Sequence, residues 1–282
     1  MKEKTLLLLL KSCALLPLWV LYLFSDIAYI VIYYLVRYRR EVVSKNLREA
    51  FPEKDDREIK NIGKQYYHYL SDQIVETIKI FHISNHQLSR RVKVVDYDIV
   101  NDSLKEGKNC VVMMAHYGNW EWVQEIAHYF LPEGYMASIY RPLNSKLWDG
   151  IFKELRSRWH AHIVPMQRVT RVLLDRDNFP WVCGFIADQR PPKKGEDNWV
   201  EFLNHKTWFI YGPEEIGRKV GADFFYLEML RKKRGYYEIK LHKLNPNENE
   251  GRYPFCRDFW SLLEDTIKSH PAYWLWSHKR WK

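Results

Sequence analysis

The run Cys110-Val111-Val112-Met113-Met114-Ala115 carries no polar residue and ends on His116. A strand of this kind shows no alternation of apolar and polar faces. It must be covered on both sides, which is the situation of a strand inside a parallel sheet with helices packed above and below. From Val92 onward short β-rich runs alternate with helical stretches. The strands expected are Cys110–Ala115, Met136–Tyr140, His162–Val164, Trp181–Ala187, Phe224–Met229 and Tyr236–His242. The helices expected are Trp122–Phe130, Lys146–Trp159, Val169–Asp175, Pro213–Val220 and Phe259–Ser269. This alternation predicts an α/β fold, a largely parallel central sheet flanked by helices. The last two strands flank Arg231-Lys232-Lys233-Arg234-Gly235 and read as an antiparallel hairpin.

The N-terminus is of a different kind. Thr5 to Phe24 is apolar apart from Lys11 and Ser12, and twenty helical residues span roughly 30 Å, one hydrocarbon core. It predicts a membrane anchor. A shorter apolar stretch, Ile27–Val36, follows Ser25-Asp26 and continues that helix or lies in the interface. Arg37, Arg39, Arg40, Lys45 and Arg48 come next, and such a basic cluster stays on the cytoplasmic side. The division expected is therefore 1–40 as anchor and interfacial segment, and 41–282 as the domain, on the cytoplasmic face of the membrane. A buried hairpin over Leu6–Leu35 of a soluble protein is the competing reading.

The net charge of +9 attracts anions. With 12 Trp and 19 Tyr, residues suited to places apolar at one end and wet at the other, lipid headgroups fit better than nucleic acid, for which no zinc-finger or RNA-binding signature is present. The cysteines Cys13, Cys110, Cys183 and Cys256 form no C-x-x-C pair. They fit a reducing compartment without a disulfide framework.

Between Val42 and Ala50 a short helix is expected, ending before Phe51-Pro52. Asp55-Asp56-Arg57-Glu58 opens the next helix with acids in its first turn, where the helix dipole favours them. Glu76 lies near its end.

His116-Tyr117-Gly118-Asn119-Trp120-Glu121 holds the chemistry. A histidine ending a strand and an acid in the first turn of the following segment converge at the crevice where open α/β sheets bind ligands. Asn119 is a natural N-cap. A neutral imidazole can take a hydroxyl proton while a carboxylate, Glu121 in this reading, fixes the tautomer through the other ring nitrogen. No G-x-S-x-G elbow or activated cysteine accompanies it. That favours direct attack by a substrate oxygen. On spacing alone, a histidine satisfied beside a helix cap fits the same residues.

His116–Glu121 resembles the H-x-x-x-x-(D/E) motif of the glycerolipid acyltransferase superfamily. More closely, the chain resembles the bacterial lipid A late acyltransferases, the lauroyl/myristoyl transferase family. Asn46-Leu47-Arg48-Glu49-Ala50-Phe51-Pro52 resembles that family's N-terminal block, before a helix bearing an acid like Glu76. Tyr140-Arg141-Pro142 resembles its second block and Ala187-Asp188-Gln189 its third. Trp274-Leu275-Trp276-Ser277-His278-Lys279-Arg280-Trp281-Lys282 resembles its C-terminal signature. The chain departs from the family at Ala272-Tyr273, and at Arg190-Pro191-Pro192-Lys193-Lys194 where relatives have a glycine turn.

The resemblance implies transfer of a fatty acyl chain from acyl carrier protein thioester, or acyl-CoA, to a hydroxyl of a lipid A precursor at the inner membrane, with no cofactor and no metal. His116 and Glu121 are the catalytic pair it implies. Arg141 is the candidate for stabilising the oxyanion or gripping a phosphate; a surface salt bridge is its other reading. Asn119, Asp188, Gln189, His278 and Arg280 complete the candidate substrate-binding set. Asp188 holds Arg141 or a substrate hydroxyl, or caps the following loop; His278 and Arg280 meet the headgroup or pack against the anchor.

Three alternatives remain at this level. The acceptor could be another membrane lipid, an aminolipid or a phosphatidylinositol mannoside. The chain could be a non-catalytic tether binding anionic lipid. A metallohydrolase would use His116 with His160 and His162, though two further ligands are not evident.

Overall fold

A computed structural model of the protein describes residues 2–130, 136–140, 145–157, 162–174, 180–191, 195–247 and 251–281. Helices α1 (Lys2–Leu15), α2 (Leu18–Ile30), α3 (Arg40–Ala50), α4 (Asp56–Lys79) and α5 (Asn85–Ser89) precede strand β1 (Val92–Val95). Then come α6 (Asp98–Lys105), β2 (Cys110–Met114), β3 (Met136–Tyr140), α7 (Lys146–Ser157), β4 (His162–Pro165), α8 (Val169–Leu174) and β5 (Val182–Ile186). A hairpin, β6 (Trp199–Phe202) and β7 (His205–Trp208), leads to α9 (Gly212–Lys219), β8 (Asp223–Lys233), β9 (Tyr236–Lys243) and α10 (Pro254–Ser269).

Seven strands form the central sheet in the order β1-β9-β8-β2-β5-β3-β4. β8, β2, β5, β3 and β4 run parallel; β9 pairs antiparallel with β8, and β1 runs with β9. The fold is thus α/β with a mostly parallel sheet, as the strand–helix alternation predicts. β2 is buried along its whole length, and its residues divide between two cores. Val111 and Met113 face one core; Cys110, Val112 and Met114 face the other. An uninterrupted apolar sequence is what a strand covered on both faces needs. The segment Trp122–Tyr129 forms a 3₁₀ helix rather than an α-helix.

The N-terminal segment corrects one expectation. Thr5–Phe24 is not a single helix, because Pro17 lacks an N–H and its ring obstructs the preceding turn, so α1 ends at Leu15 and α2 starts at Leu18. The apolar stretch long enough to cross a membrane is Leu18–Leu35, made of α2 and a π-helical turn, Val31–Leu35. Only 22% of it is buried. Trp19, Leu23, Phe24, Ile27 and Leu35 stay exposed, while Leu21 and Ser25 pack inward against α4 and the sheet. This outward apolar face supports membrane association.

The inward side of α2 also makes polar contacts. Ser25 Oγ donates to Asp72 Oδ1 at 2.6 Å, and Tyr22 Oη donates to Glu76 Oε1 at 2.7 Å. The charge of Asp26 is met by Arg234 at 2.6 Å. The polar break Ser25-Asp26 therefore faces protein and leaves the outer face apolar.

α4 starts with a reciprocal cap. The Asp55 side chain accepts from Glu58 N at 2.8 Å, and Glu58 accepts from Asp55 N at 3.0 Å. Its far end carries Tyr69, Gln73 and Glu76, all buried, toward the loop that follows β2.

Candidate active site

Two adjacent parallel strands bring the site together. β2 and β5 pair with Met114 opposite Ile186, and Ala187 N donates to Met114 O at 2.9 Å. Continuing that register by two residues sets His116 beside Asp188. The ring Nδ1 of His116 lies 2.6 Å from Asp188 Oδ1. Both residues follow the C-terminal ends of their strands, on the edge of the sheet where α/β folds bind ligands.

The expected partnership between His116 and Glu121 is corrected here. Glu121 is buried, but its carboxylate receives Arg156 of α7, with Nη2 at 2.8 Å and Nε at 3.2 Å. A bidentate grip of this kind fixes the plane of the carboxylate. His116 takes its carboxylate from a strand 72 residues away in sequence. Sequence reading missed Arg156; its place on an amphipathic helix after the motif was the only signal available.

Asp188 is buried and held from several sides. Trp274 Nε1 donates to its Oδ2 at 2.9 Å, and Arg280 Nη2 stands 4.0 Å from the same atom. Burial alone would raise its pKa. The His116 ring, the Arg280 guanidinium and the Trp274 indole more than offset that, and hold the carboxyl well below the usual range. Asp188 is therefore ionised near neutral pH. An ionised acceptor on Nδ1 favours the tautomer with the proton on Nδ1, which leaves Nε2 as the basic nitrogen. Gln189 Nε2 lies 3.3 Å from that nitrogen. Gln189 is exposed, so it can yield its place to a substrate hydroxyl.

The loop around His116 is rigidly built. Gly118 has φ +60°, and a Cβ there would lie 2.5 Å from Met229 O. Its own carbonyl accepts from Tyr69 Oη and Gln73 Nε2, each at 2.5 Å. Asn119 is fully buried: Oδ1 accepts from Trp122 N at 3.1 Å and Nδ2 donates to Glu76 Oε2 at 2.6 Å. Both ends of that amide are used inside the protein, which makes Asn119 a holder of the loop. Burial lifts the Glu76 carboxyl to a pKa of about 6, despite hydrogen bonds from Tyr237 and Tyr22.

The C-terminal signature is locked by the N-terminal block. Asn46 Nδ2 donates to Trp276 O at 2.9 Å and to His278 O at 3.0 Å, and Arg39 donates to Ser277 O at 3.0 Å. This positions Trp274 and Arg280 against Asp188. Burial and the nearby Arg280 lower the His278 pKa to about 4, so its ring is neutral.

Beside the His116 loop a cavity is lined by Met114, Met136, Ile139, Ile186, Val123 and Trp120, with Glu121 and Arg156 on its wall. The Trp120 ring also meets the His116 ring edge-on at 5.2 Å. An apolar slot thus abuts a basic nitrogen.

Arg141 and His160 lie outside the described residues. His162 is on β4, where its ring meets Trp181 edge-on at 5.5 Å. Among the described residues no group of three His, Cys, Asp or Glu side chains is arranged to hold a metal.

The family model described as bacterial lipid A biosynthesis acyltransferase matches residues 5–282. Comparison with individual curated proteins gives no match. A match over nearly the whole length, on a mostly parallel α/β fold, leaves one conclusion: the chain belongs to the bacterial lipid A biosynthesis acyltransferase family and is an acyltransferase.

Proposed function

We propose that the protein moves a fatty acyl chain from an acyl carrier protein thioester to a hydroxyl of a lipid A precursor, with His116 as general base. The observation that carries this reading is the His116–Asp188 pair, 2.6 Å apart at the ends of two adjacent strands. In the reaction Nε2 takes the proton of the acceptor hydroxyl as its oxygen attacks the thioester carbonyl. The imidazolium that forms is stabilised by Asp188. Collapse of the tetrahedral intermediate expels the thiolate, which takes up the proton. The apolar residues beside Trp120 offer the first carbons of the acyl chain a surface next to Nε2, and the Glu121–Arg156 pair stands on its wall.

The membrane-facing α2 brings the site to the lipid. Arg37, Arg39 and Arg40 follow directly after that apolar stretch, which supports a cytoplasmic domain at the inner membrane. The same machinery serves equally for another lipid alcohol, so the acceptor is the part of this reading that experiment must decide.

The test is incubation of the purified protein with acyl carrier protein thioester and lipid A precursor, followed by mass spectrometry of the lipid. Gain of one acyl chain, abolished by His116→Ala, is the expected result. Transfer only to an aminolipid or a phosphatidylinositol mannoside would move the acceptor. Equal activity of His116→Ala and wild type would overturn His116 as the base, and no transfer to any lipid by wild type would favour a lipid-binding tether.

A further inference from the structure

A second cavity, of about 170 Å³, opens between the β6–β7 hairpin and the C-terminal tail, lined by Arg190, His205, Lys206, Thr207, Arg280 and Trp281 among others. Among the described residues its lining is basic and includes no carboxylate. It is well below the roughly 300–1,000 Å³ of pockets that take drug-sized ligands, and suits a single small polar group.

Arg280 is the informative residue. It is only 6% exposed, with the rings of Trp260 and Trp274 at 5.0 and 5.2 Å from its guanidinium carbon. Asp188 stands 4.0 Å from its Nη2. Its Nε and Nη1 are buried and have no hydrogen-bond partner among the described residues. Buried guanidinium donors left unused are costly, and native structures usually supply an acceptor for them.

The rest of the lining is consistent in sign. Lys206 is exposed, its ammonium 4.1 Å above the Trp199 ring, with no carboxylate partner among the described residues. Arg190 is exposed too, two residues after Asp188. The His205 ring stacks on Trp281 at 4.1 Å and has Glu49 3.7 Å from its Nε2, and Glu201 lies opposite Lys206 in the hairpin register.

We propose that this cavity is an anion site that takes a phosphate ester, with Arg280, Arg190 and Lys206 as its donors. Arginine forks and a lysine point charge on a desolvated aromatic floor are the chemistry that recognises such a group. Arg280 lines the cavity, and its Nη2 stands 4.0 Å from Asp188, so a phosphate held here sits one side chain away from the His116 pair. That the phosphate belongs to an acyl-transfer substrate rests on the function proposed above; the anion site itself does not. Two sources carry the required chemistry, the headgroup phosphate of a glycolipid acceptor and the phosphodiester of a donor's pantetheine arm.

The test titrates inorganic phosphate into the full chain in detergent, read by ³¹P line broadening. Arg190→Gln and Lys206→Met alter exposed side chains and spare the fold. Each should weaken phosphate binding about tenfold or more, the usual worth of one charge-assisted hydrogen bond. Lys60→Gln, on the exposed side of α4, should leave it unchanged. In the acyl-transfer assay the same two variants should raise KM for one substrate about tenfold, with kcat changed much less. A rise for the acceptor assigns the site to the glycolipid phosphate; a rise for the donor assigns it to the pantetheine arm. Wild-type protein that binds no phosphate, or variants that bind it as well as wild type, would overturn the site even if acyl transfer proceeds. Phosphate binding that depends on Arg190 and Lys206 in a protein without acyl transfer would keep the site and refute the proposed function.

Discussion

The Nδ1 of His116 lies 2.6 Å from Asp188 Oδ1, while Glu121 is gripped by Arg156. The two acids near the histidine therefore do different work, and substitution separates them. Asp188→Asn keeps the shape but removes the charge that selects the tautomer. It should lower kcat about 10²–10⁴-fold, the range over which a general base acts. Glu121→Gln loosens Arg156 on the wall of the apolar slot, and its main effect should be on KM for the acyl donor. Steady-state kinetics of both variants, checked for folding by thermal melts, decide this. Equal losses of kcat would mean that Glu121 acts on the ring as directly as Asp188 does.

Gly118 tolerates no side chain. With φ +60° and Met229 O in the place of a Cβ, Gly118→Ala should store about 1–3 kcal/mol of backbone strain and push the loop away from β8. The hydrogen bonds from Tyr69 and Gln73 to its carbonyl would shift with it. A lower melting temperature together with a fall in kcat is the expected outcome. Wild-type melting with wild-type kcat would show that the loop adapts without cost.

Much of the sheet is readable along the chain because each strand carries its own apolar run. His116 and Asp188 are each recognisable as strand-end residues on that basis. Their pairing is not, since it depends on the register between β2 and β5, a tertiary property with no local signal. The β6–β7 hairpin was missed for a different reason. Its two-residue turn is Leu203-Asn204, with φ +50° and +63°. Such turns usually announce themselves with glycine. Here a wholly buried leucine takes the first left-handed position, held by packing, and Asn204 alone is a weak turn signal. The break at Pro17 was legible, but the hydropathy of Thr5–Phe24 spoke louder than the proline's missing N–H. The bond from Asn46 to the Trp276 and His278 carbonyls joins two sequence blocks that nothing local relates.

Glu125 gives the fold a pH dependence. It is buried, its Oε2 has no hydrogen-bond partner among the described residues, and burial pushes its pKa up to about 7. A carboxyl whose folded pKa is raised binds its proton more tightly in the native state. Stability from this group is whole below the unfolded value of about 4.3 and is lost as pH rises to about 7. The loss is on the order of 3 kcal/mol. Glu76, raised for the same reason, adds a slope of the same sign. His278, whose pKa is lowered, adds a slope of the opposite sign below about pH 6.5, so the Glu125 share is read as a difference: Glu125→Gln should raise the melting temperature above that of wild type at pH 8, and by less at pH 5. A variant no more stable than wild type at pH 8 would mean that Glu125 is ionised at little cost.

Asp72 fastens the membrane-facing helix to the sheet. It is fully buried, accepts from Ser25 Oγ of α2 at 2.6 Å, and binds Arg231 and Arg234 of the β8–β9 hairpin, each at 2.6 Å. Arg234 in turn reaches Asp26 of α2. Removing the acid leaves Arg231, whose side chain is 9% exposed, without its counter-charge. Breaking one side of a buried pair costs about 3–5 kcal/mol, more than the pair itself contributes. Asp72→Ala should lower the denaturation midpoint accordingly and make the α1–α2 segment the first site of proteolysis in detergent. Asp72→Asn keeps the hydrogen-bond geometry and should lose less. The apolar outer face of α2 is untouched by either change, so both variants should stay in the membrane fraction. If Asp72→Ala melts like wild type, then the apolar contacts of α2 with α4 hold the helix by themselves and the buried charges only set its orientation.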